Sequence, residues 1–202
     1  MYQTAVVNLK SFSKDKLNKK IKIFRKNYEN QINKSGIIWI LCDSILNKNE
    51  FFHSPFYIAE KFSDLYLKNV IIAPSFRNFK KNLIFNNYVT NILFLSKEEK
   101  YYFNKDPIRE THIWKNVEWG KRKKNYNPKG KDPGNVWMKT KDDGKANITE
   151  HCPLSFEDVI ERCYLSASKP KDDVLLININ KIKSKKKLNM SQFKIHFDTS
   201  EN

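Results

Sequence analysis

The sequence predicts an α/β fold, a mostly parallel sheet with crossover helices, and three observations predict it. An amphipathic helix is followed by an unbroken apolar strand, the pair then recurs, and a third helix and strand follow after residue 149. Leu17, Ile21, Phe24, Tyr28 and Ile32 recur at steps of three and four, which predicts a helix over 14–33 with Lys19, Lys20, Lys22, Lys26 and Glu29 facing water. Ser35-Gly36 reads as its stop signal. Ile37-Ile38-Trp39-Ile40-Leu41-Cys42 has no polar alternation, the mark of a strand covered on both faces, and Asp43-Ser44 closes it. Ser54-Pro55 reads as an N-cap and first helical residue. Ile58, Ala59, Phe62, Leu65 and Tyr66 complete a helix over 55–67, and Val70-Ile71-Ile72-Ala73 is the second strand.

The middle of the chain has a different texture. Leu83-Ile84-Phe85, Thr90 to Leu95 and Tyr101-Tyr102-Phe103 are short β-like pieces that suggest a hairpin or edge strands. From 104 to 131 periodicity is lost. Order returns with Ser155 and Asp158, which fit a capping box, and with Phe156, Val159, Ile160, Cys163, Tyr164 and Ala167 as the stripe of a helix over 155–167. After the turn Lys169 to Asp173, Val174-Leu175-Leu176-Ile177 is the third strand. Residues 178–202 show neither period nor caps. The chain thus divides into 1–103, 104–135, 136–177 and a patternless tail, 178–202.

Composition narrows the function classes. The 202 residues carry 38 Lys and Arg against 22 Asp and Glu, a net +16, on 40% apolar and 13% aromatic residues, too apolar for a disordered polycation. No run approaches the roughly 18 apolar residues of a membrane helix, and the first ten residues lack the pattern of a secretory signal, so the expectation is a cytoplasmic protein that does not meet the membrane. Cys42, Cys152 and Cys163 are scattered and the four histidines isolated, which predicts neither disulfides nor a metal site. Five glycines, none spaced G-x-G, exclude a dinucleotide or Walker loop. Lysine outnumbers arginine 33 to 5, so part of the positive charge reflects codon usage. Lys121, Arg122, Lys123, Lys124, Lys129 and Lys131 nevertheless fall in an acid-free run with Tyr126 among them and Trp114 and Trp119 nearby. That combination suits phosphate neutralisation with base stacking. A solvated lysine-rich loop is the other reading of the same residues, and Arg122 is the one side chain of the run able to grip guanine in bidentate fashion.

Three blocks in order carry a family likeness. Gly130-Lys131-Asp132-Pro133-Gly134-Asn135-Val136-Trp137 is similar to a G-K-x-P-G-D/N-V-W signature. His151-Cys152-Pro153-Leu154-Ser155-Phe156-Glu157 onward to Arg162 is similar to the element leading into a cofactor-side helix, and Ser168-Lys169-Pro170-Lys171-Asp172-Asp173-Val174-Leu175 to an S-x-P-G-D-x-V-L turn and strand. Together they resemble the S-adenosylmethionine-dependent DNA amino-methyltransferases, in the permuted group whose catalytic half comes first, over about 20 to 177. The resemblance implies a partial Rossmann-like methyltransferase sheet with an irregular basic target-recognition insert, S-adenosylmethionine as cofactor, DNA as partner, and N4-cytosine or N6-adenine methylation of the restriction-modification type. By the same resemblance 1–103 is a catalytic-half remnant, 104–135 the insert, and 136–177 the cofactor side. His151, Phe156 and Glu157 then fall beside the cofactor, although His151 reads better as a helix opener and Phe156 as core. The DNA contacts implied are Lys121, Arg122, Lys123, Lys124, Tyr126, Lys129 and Lys131.

Departures accompany the likeness. The [DSN]-P-P-[YFW] loop that positions a flipped base has no counterpart in residues 1–36, and Ser54-Pro55-Phe56-Tyr57 is a near miss after the wrong strand. Leu176 leads into Ile177-Asn178-Ile179-Asn180-Lys181 instead of D-P-F-x-G-S-G, so the tail reads as a shifted or terminated frame. Ala73-Pro74-Ser75-Phe76 and Val89 also differ from the family pattern. Two function classes follow: a methyltransferase by resemblance, inactive as this isolated chain, or a non-enzymatic basic DNA-binding fragment, including one subunit of a split enzyme completed by a companion chain. The missing strands would leave an apolar sheet edge open.

Overall fold

The computed structural model describes residues 1–10, 12–47, 50–74, 88–110, 127–142, 149–179 and 192–198. In chain order the elements are β1 (Tyr2–Asn8), α1 (Lys14–Asn27), β2 (Ile32–Cys42), β3 (Ile45–Asn47), β4 (Glu50–Phe52), α2 (Ser54–Lys61), β5 (Tyr66–Pro74), β6 (Val89–Ser96), β7 (Met138–Asp142), β8 (Thr149–Pro153), α3 (Phe156–Ala167), β9 (Asp173–Ile177) and β10 (Lys194–Asp198). Six strands form one sheet in the order β10-β9-β1-β2-β6-β5, while β3 with β4 and β7 with β8 are separate hairpins. β1 runs parallel to β2 and to β9, and β9 parallel to β10; β6 lies antiparallel between β2 and β5. The expected α/β class is therefore the observed one, and the strands expected at 37–42, 70–73 and 174–177 share this sheet.

Alternation along the buried strands feeds two cores. Ala5, Val7, Ile38, Ile40 and Leu175 point to the face covered by Leu17, Ile21 and Phe24 of α1, by Ile58 of α2 and by Phe62 at its end. Val6, Trp39, Leu41, Phe94, Val174 and Leu176 point to the other face, under Val159, Ile160, Cys163 and Tyr164 of α3. Trp39 is fully buried and stacks on Phe94 with ring centroids 4.4 Å apart, a geometry that adds about 0.5–1.5 kcal/mol to the area buried. At α3 the capping box is formed as read: the Ser155 hydroxyl accepts from the Asp158 N–H (3.1 Å) and the Asp158 carboxylate from the Ser155 N–H (3.4 Å).

Several sequence expectations are corrected. β1 was not foreseen, yet it lies at the centre of the sheet with Thr4, Ala5 and Val6 fully buried. α1 ends at Asn27, not at 33, because Tyr28 leaves helical geometry at φ −123° and a short 3-10 turn delivers Ile32 into β2. Ser35-Gly36 is no stop signal; Gly36 lies inside β2, where the register against β1 shifts and a Cβ would stand 2.7 Å from the Ile32 side chain. α2 is capped by His53, whose ring nitrogen accepts from the Phe56 N–H at 3.4 Å, and it ends at Lys61, so Tyr66 already belongs to β5. β6 is an interior strand, 101–103 form no strand, and the piece at 83–85 lies outside the described residues. The tail expected to be patternless contributes β10, and Ile179 and Phe193 are buried. Edge strand β5 exposes Tyr66, Leu67 and Val70, though one parallel bridge, Ile72 to Val136, partly covers it.

Candidate functional site at the carboxyl edge of the sheet

In open α/β sheets a ligand is held outside the carboxyl ends of the strands, at the point where the strand order reverses. β1 and β9 meet that condition, since the chain passes from β1 to β2 on one side of that boundary and from β9 to β10 on the other, all four strands parallel. The chain leaves β1 through Asn8, Leu9 and Lys10. Leu9 continues the ladder, its N–H donating to Leu41 O at 2.8 Å, and its side chain is buried. The Asn8 amide reaches across to β9 and donates to Asn178 O at 3.2 Å, while its carbonyl accepts from the Lys10 N–H at 3.2 Å. Asn178 sits at φ +54°, a left-handed conformation that asparagine tolerates better than most residues. Its side chain accepts from the Lys20 ammonium at 3.4 Å, and its N–H donates to Asp198 O at 2.9 Å.

Lys10 organises the other half of the corner. Its ammonium donates to the Thr90 hydroxyl at 2.8 Å, stands 3.7 Å from the Asp43 carboxylate, and lies 5.5 Å from the centroid of the Phe156 ring. It thus joins β1 to the end of β2, the start of β6 and the first residue of α3. Asp43 and Ser44 are almost fully buried here. Beside them burial, with a smaller contribution from the Asp43 charge, pushes the Cys42 thiol well above its ordinary range; burial does the same to Cys163. Neither sulfur is a thiolate nucleophile at neutral pH. Among the described residues no group of three or more His, Cys, Asp or Glu side chains is arranged to hold a metal ion.

Of the residues singled out from sequence, Phe156 reaches this corner. His151 lies exposed on β8, facing Thr140 of β7, and shares a shallow 300 Å³ depression with Glu110, Lys131 and Val136. Glu157, in the first turn of α3, makes no ion pair among the described residues. Ser54 is buried but donates to Asp43 O; Pro55 is buried, Phe56 points into solvent and the Tyr57 hydroxyl bonds Asn18, so the near miss is the first turn of a helix and not a base-holding loop. Lys129 is paired with Asp106 at 2.5 Å, and the backbone of Lys131 exchanges hydrogen bonds with Glu110. Lys121, Arg122, Lys123, Lys124 and Tyr126 lie outside the described residues. Asn8, Lys10, Asp43, Thr90 and Asn178 were missed: they stand at the ends of four different elements, Asn8 and Lys10 at that of β1, and a missed β1 hides where they meet.

The Gly130 to Trp137 block has a structural duty. Gly130 (φ +113°) and Gly134 (φ +65°) both occupy left-handed backbone. Trp137 is buried, donates its indole N–H to Gly134 O at 3.2 Å, and packs 6.0 Å from Trp39 beneath the Arg162 guanidinium. Arg162 in turn bonds Glu110 at 3.0 Å. This segment holds the edge of the sheet and does not line the carboxyl corner.

A six-stranded sheet of this order, with helices on both faces and a polar corner at the β1/β9 boundary, defines a methyltransferase-type α/β fold. Two solved DNA methyltransferases share it. The PvuII DNA methyltransferase, cytosine-N4-specific, matches 98% of this chain over 76% of its own length at a TM-score of 0.58 and 11% identity. M1.HpyAVI, solved as a complex with S-adenosylmethionine, matches 99% of this chain over 84% of its own at 0.53 and 15%. The likeness is one of fold. No protein-family model matches the sequence and no curated protein matches it. No helix among the described residues is long and apolar enough to cross a membrane.

Proposed function

We propose that this chain is a member of the S-adenosylmethionine-dependent DNA amino-methyltransferases that binds DNA but transfers no methyl group by itself. The fold and the three sequence blocks support the membership, and the corner around Lys10 carries the second half of the reading. Where the catalytic loop would place two prolines after its first residue, the chain has Asn8 followed by Leu9 and Lys10. Asparagine is one of the residues the loop accepts at that first place, but here its nitrogen donates to Asn178 O and its oxygen accepts from the Lys10 N–H. The aromatic face and the carboxylate that could receive a cationic sulfonium already hold the Lys10 ammonium, and two cations sharing one ring and one carboxylate repel. After β9 no glycine opens the backbone: Asn178 turns and Ile179 enters the core. The residues present therefore do not fit S-adenosylmethionine.

Proximity supplies about 7–11 kcal/mol of such a reaction in favourable cases, so a corner that holds neither donor nor base in place loses most of the rate. The test combines calorimetry with S-adenosylmethionine, anisotropy with duplex DNA, and transfer of labelled methyl groups to unmethylated DNA. We expect no heat from the cofactor, salt-dependent DNA binding and no label. Micromolar cofactor affinity or label in DNA from this chain alone overturns the reading; label seen only with a companion chain replaces it by a split enzyme. Label that is lost when adenine or cytosine is methylated beforehand would then identify the target base.

A further inference from the structure

The groove between α1 and α2 lies on the face of the sheet opposite α3 and has no part in the Lys10 corner. It encloses 440 Å³ and is lined by Asn18, Ile21, Lys22, Arg25, Tyr57 and Lys61. The Tyr57 hydroxyl donates to the Asn18 side-chain oxygen at 2.5 Å, which fixes the ring on the groove wall. Two ammonium groups gather over that ring, Lys14 at 5.4 Å and Lys61 at 5.3 Å from its centroid. Arg25 is already neutralised by a two-pronged bond to Asp64 and by Glu29 at 3.7 Å. No such partner exists among the described residues for Lys14, Lys16, Lys19, Lys22, Lys26 or Lys61.

The charges are arranged as a stripe. At about 100° per residue, Lys14, Lys19, Lys22 and Lys26 fall within about 140° of arc: Lys19, Lys22 and Lys26 lie on the side of α1 away from its buried Leu17, Ile21 and Phe24, Lys14 stands at the groove margin beside Ile21, and Asp15 falls inside the same arc. From Lys14 to Lys26 the stripe is about 18 Å long at 1.5 Å per residue, a length over which one DNA strand presents about five phosphates. Asp15 is the sole acid within α1, and Glu60 stands exposed on α2. Uncompensated cations this close repel one another in the free chain, and a polyanion relieves that repulsion while releasing its own counterions.

We propose that the α1–α2 groove binds nucleic-acid phosphate and gives the chain a second DNA contact, separate from the basic segment at 121–131. The inference rests on the DNA-binding reading above and adds a location to it. The contact reads backbone and not sequence, since lysines act on phosphate as point charges. The experiment uses the full chain with Lys14, Lys22 and Lys61 all changed to Gln, substitutions at exposed or ring-facing positions that leave both cores untouched; a thermal melt coincident with that of the parent checks this. Duplex affinity is measured by anisotropy across a salt series. The slope of log affinity on log salt should fall by about 2.7 units, 0.9 for each lysine, and reversal to Glu at Lys22 and Lys61 should weaken binding further. An unchanged slope in a parent that does bind DNA overturns this inference and leaves the DNA-binding reading standing. A parent that binds no DNA sinks both. Vesicles of phosphatidylserine provide the competing polyanion: retention on them that the triple variant abolishes, with the DNA slope intact, assigns the groove to a membrane surface and overturns the proposal.

Discussion

The block from Gly130 to Trp137 and the corner from Asn8 to Lys10 belong to one fold, yet they stand at different distances from the family pattern. The block retains both glycines and the tryptophan of its signature, and the structure uses all three: two left-handed turns and a buried ring against Trp39. On the function proposed above, the corner retains at most the first residue of the catalytic loop, and Lys10 beside it fills the space with a cation. The difference separates two kinds of constraint. Residues of the pattern that the fold itself uses are present, and on the function proposed above those that only a ligand would require are not.

The largest expected effect lies in the block. Trp137→Ala removes a side chain 2% exposed and should cost about 3–5 kcal/mol, the range for emptying a large aromatic site in a core. Asn8→Ala at the corner removes two half-buried hydrogen bonds of 3.2 Å, to Asn178 O and from the Lys10 N–H, and should cost about 1–2 kcal/mol. Urea unfolding of both variants decides the matter: equal losses would break the comparison, because the corner would then carry the fold as heavily as the block does.

Gly130→Ala comes next. A Cβ at Gly130 would stand 2.5 Å from Glu110 O, with the backbone at φ +113°, and the Glu110–Lys131 backbone pairing depends on that approach. Strain of this kind amounts to about 1–3 kcal/mol. Gly134 has no atom within 4 Å of its would-be Cβ, so Gly134→Ala meets the left-handed backbone alone and should cost less. A larger loss at Gly134 than at Gly130 would show that the turn, and not the close approach, is what the block protects.

The ends of β9 sharpen the comparison at a smaller scale. Lys171 stands where the S-x-P-G-D turn has glycine and keeps the left-handed backbone at φ +76°; its N–H still donates to Gln192 O at 2.6 Å. The turn thus forms without a glycine, at a strain of about 1–2 kcal/mol. Lys171→Gly should raise stability by about 0.5–1 kcal/mol once the looser unfolded chain is allowed for. Asn178→Gly should gain less, since asparagine already suits its φ of +54°. Thermal melts of the two variants test the order.

What the sequence disclosed follows the same division. β2 and β9 were legible because burial on both faces leaves an unbroken apolar run, and α3 because Ser155 and Asp158 announce its start. β1 was not, since Ala5-Val6-Val7 is a short run and its central place comes from pairing with β2 and β9. Ile32 misled for a physical reason: it continues the apolar stripe of α1 but is buried from inside β2. β10 alternates Ile195 and Phe197 with charged neighbours over five residues, a weak signal that an edge strand packed on one side gives. The corner was hidden more completely. Lys10, Asp43, Thr90 and Asn178 meet only after four elements have folded, and no spacing along the chain announces them.

The smallest expected effect concerns how β10 is held. Asp173 of β9 and His196 of β10 bond at 2.8 Å across the strand pair, and the Tyr2 ring meets His196 edge-on at 5.2 Å. The hydrogen bond from His196 holds the Asp173 carboxyl below the usual carboxylate range, helped by the charges of Lys194 and His196. A depressed carboxyl pKa stabilises the folded state above the unfolded value, near 3.9, and that contribution fades as pH falls through the folded value. The pair is about one-third to one-half exposed, so solvent keeps its contribution below about 1 kcal/mol. Asp173→Asn should therefore lower the melting temperature slightly at pH 6, and the gap to the parent should close on acidification below pH 4. Hydrogen exchange at Phe197 and Asp198 should rise in the variant, while that at Val6 and Val7 in β1 stays unchanged. A gap that persists undiminished at pH 2 would assign the loss to packing of the side chain and not to its charge, and β10 would then belong with the block, held as the core is held.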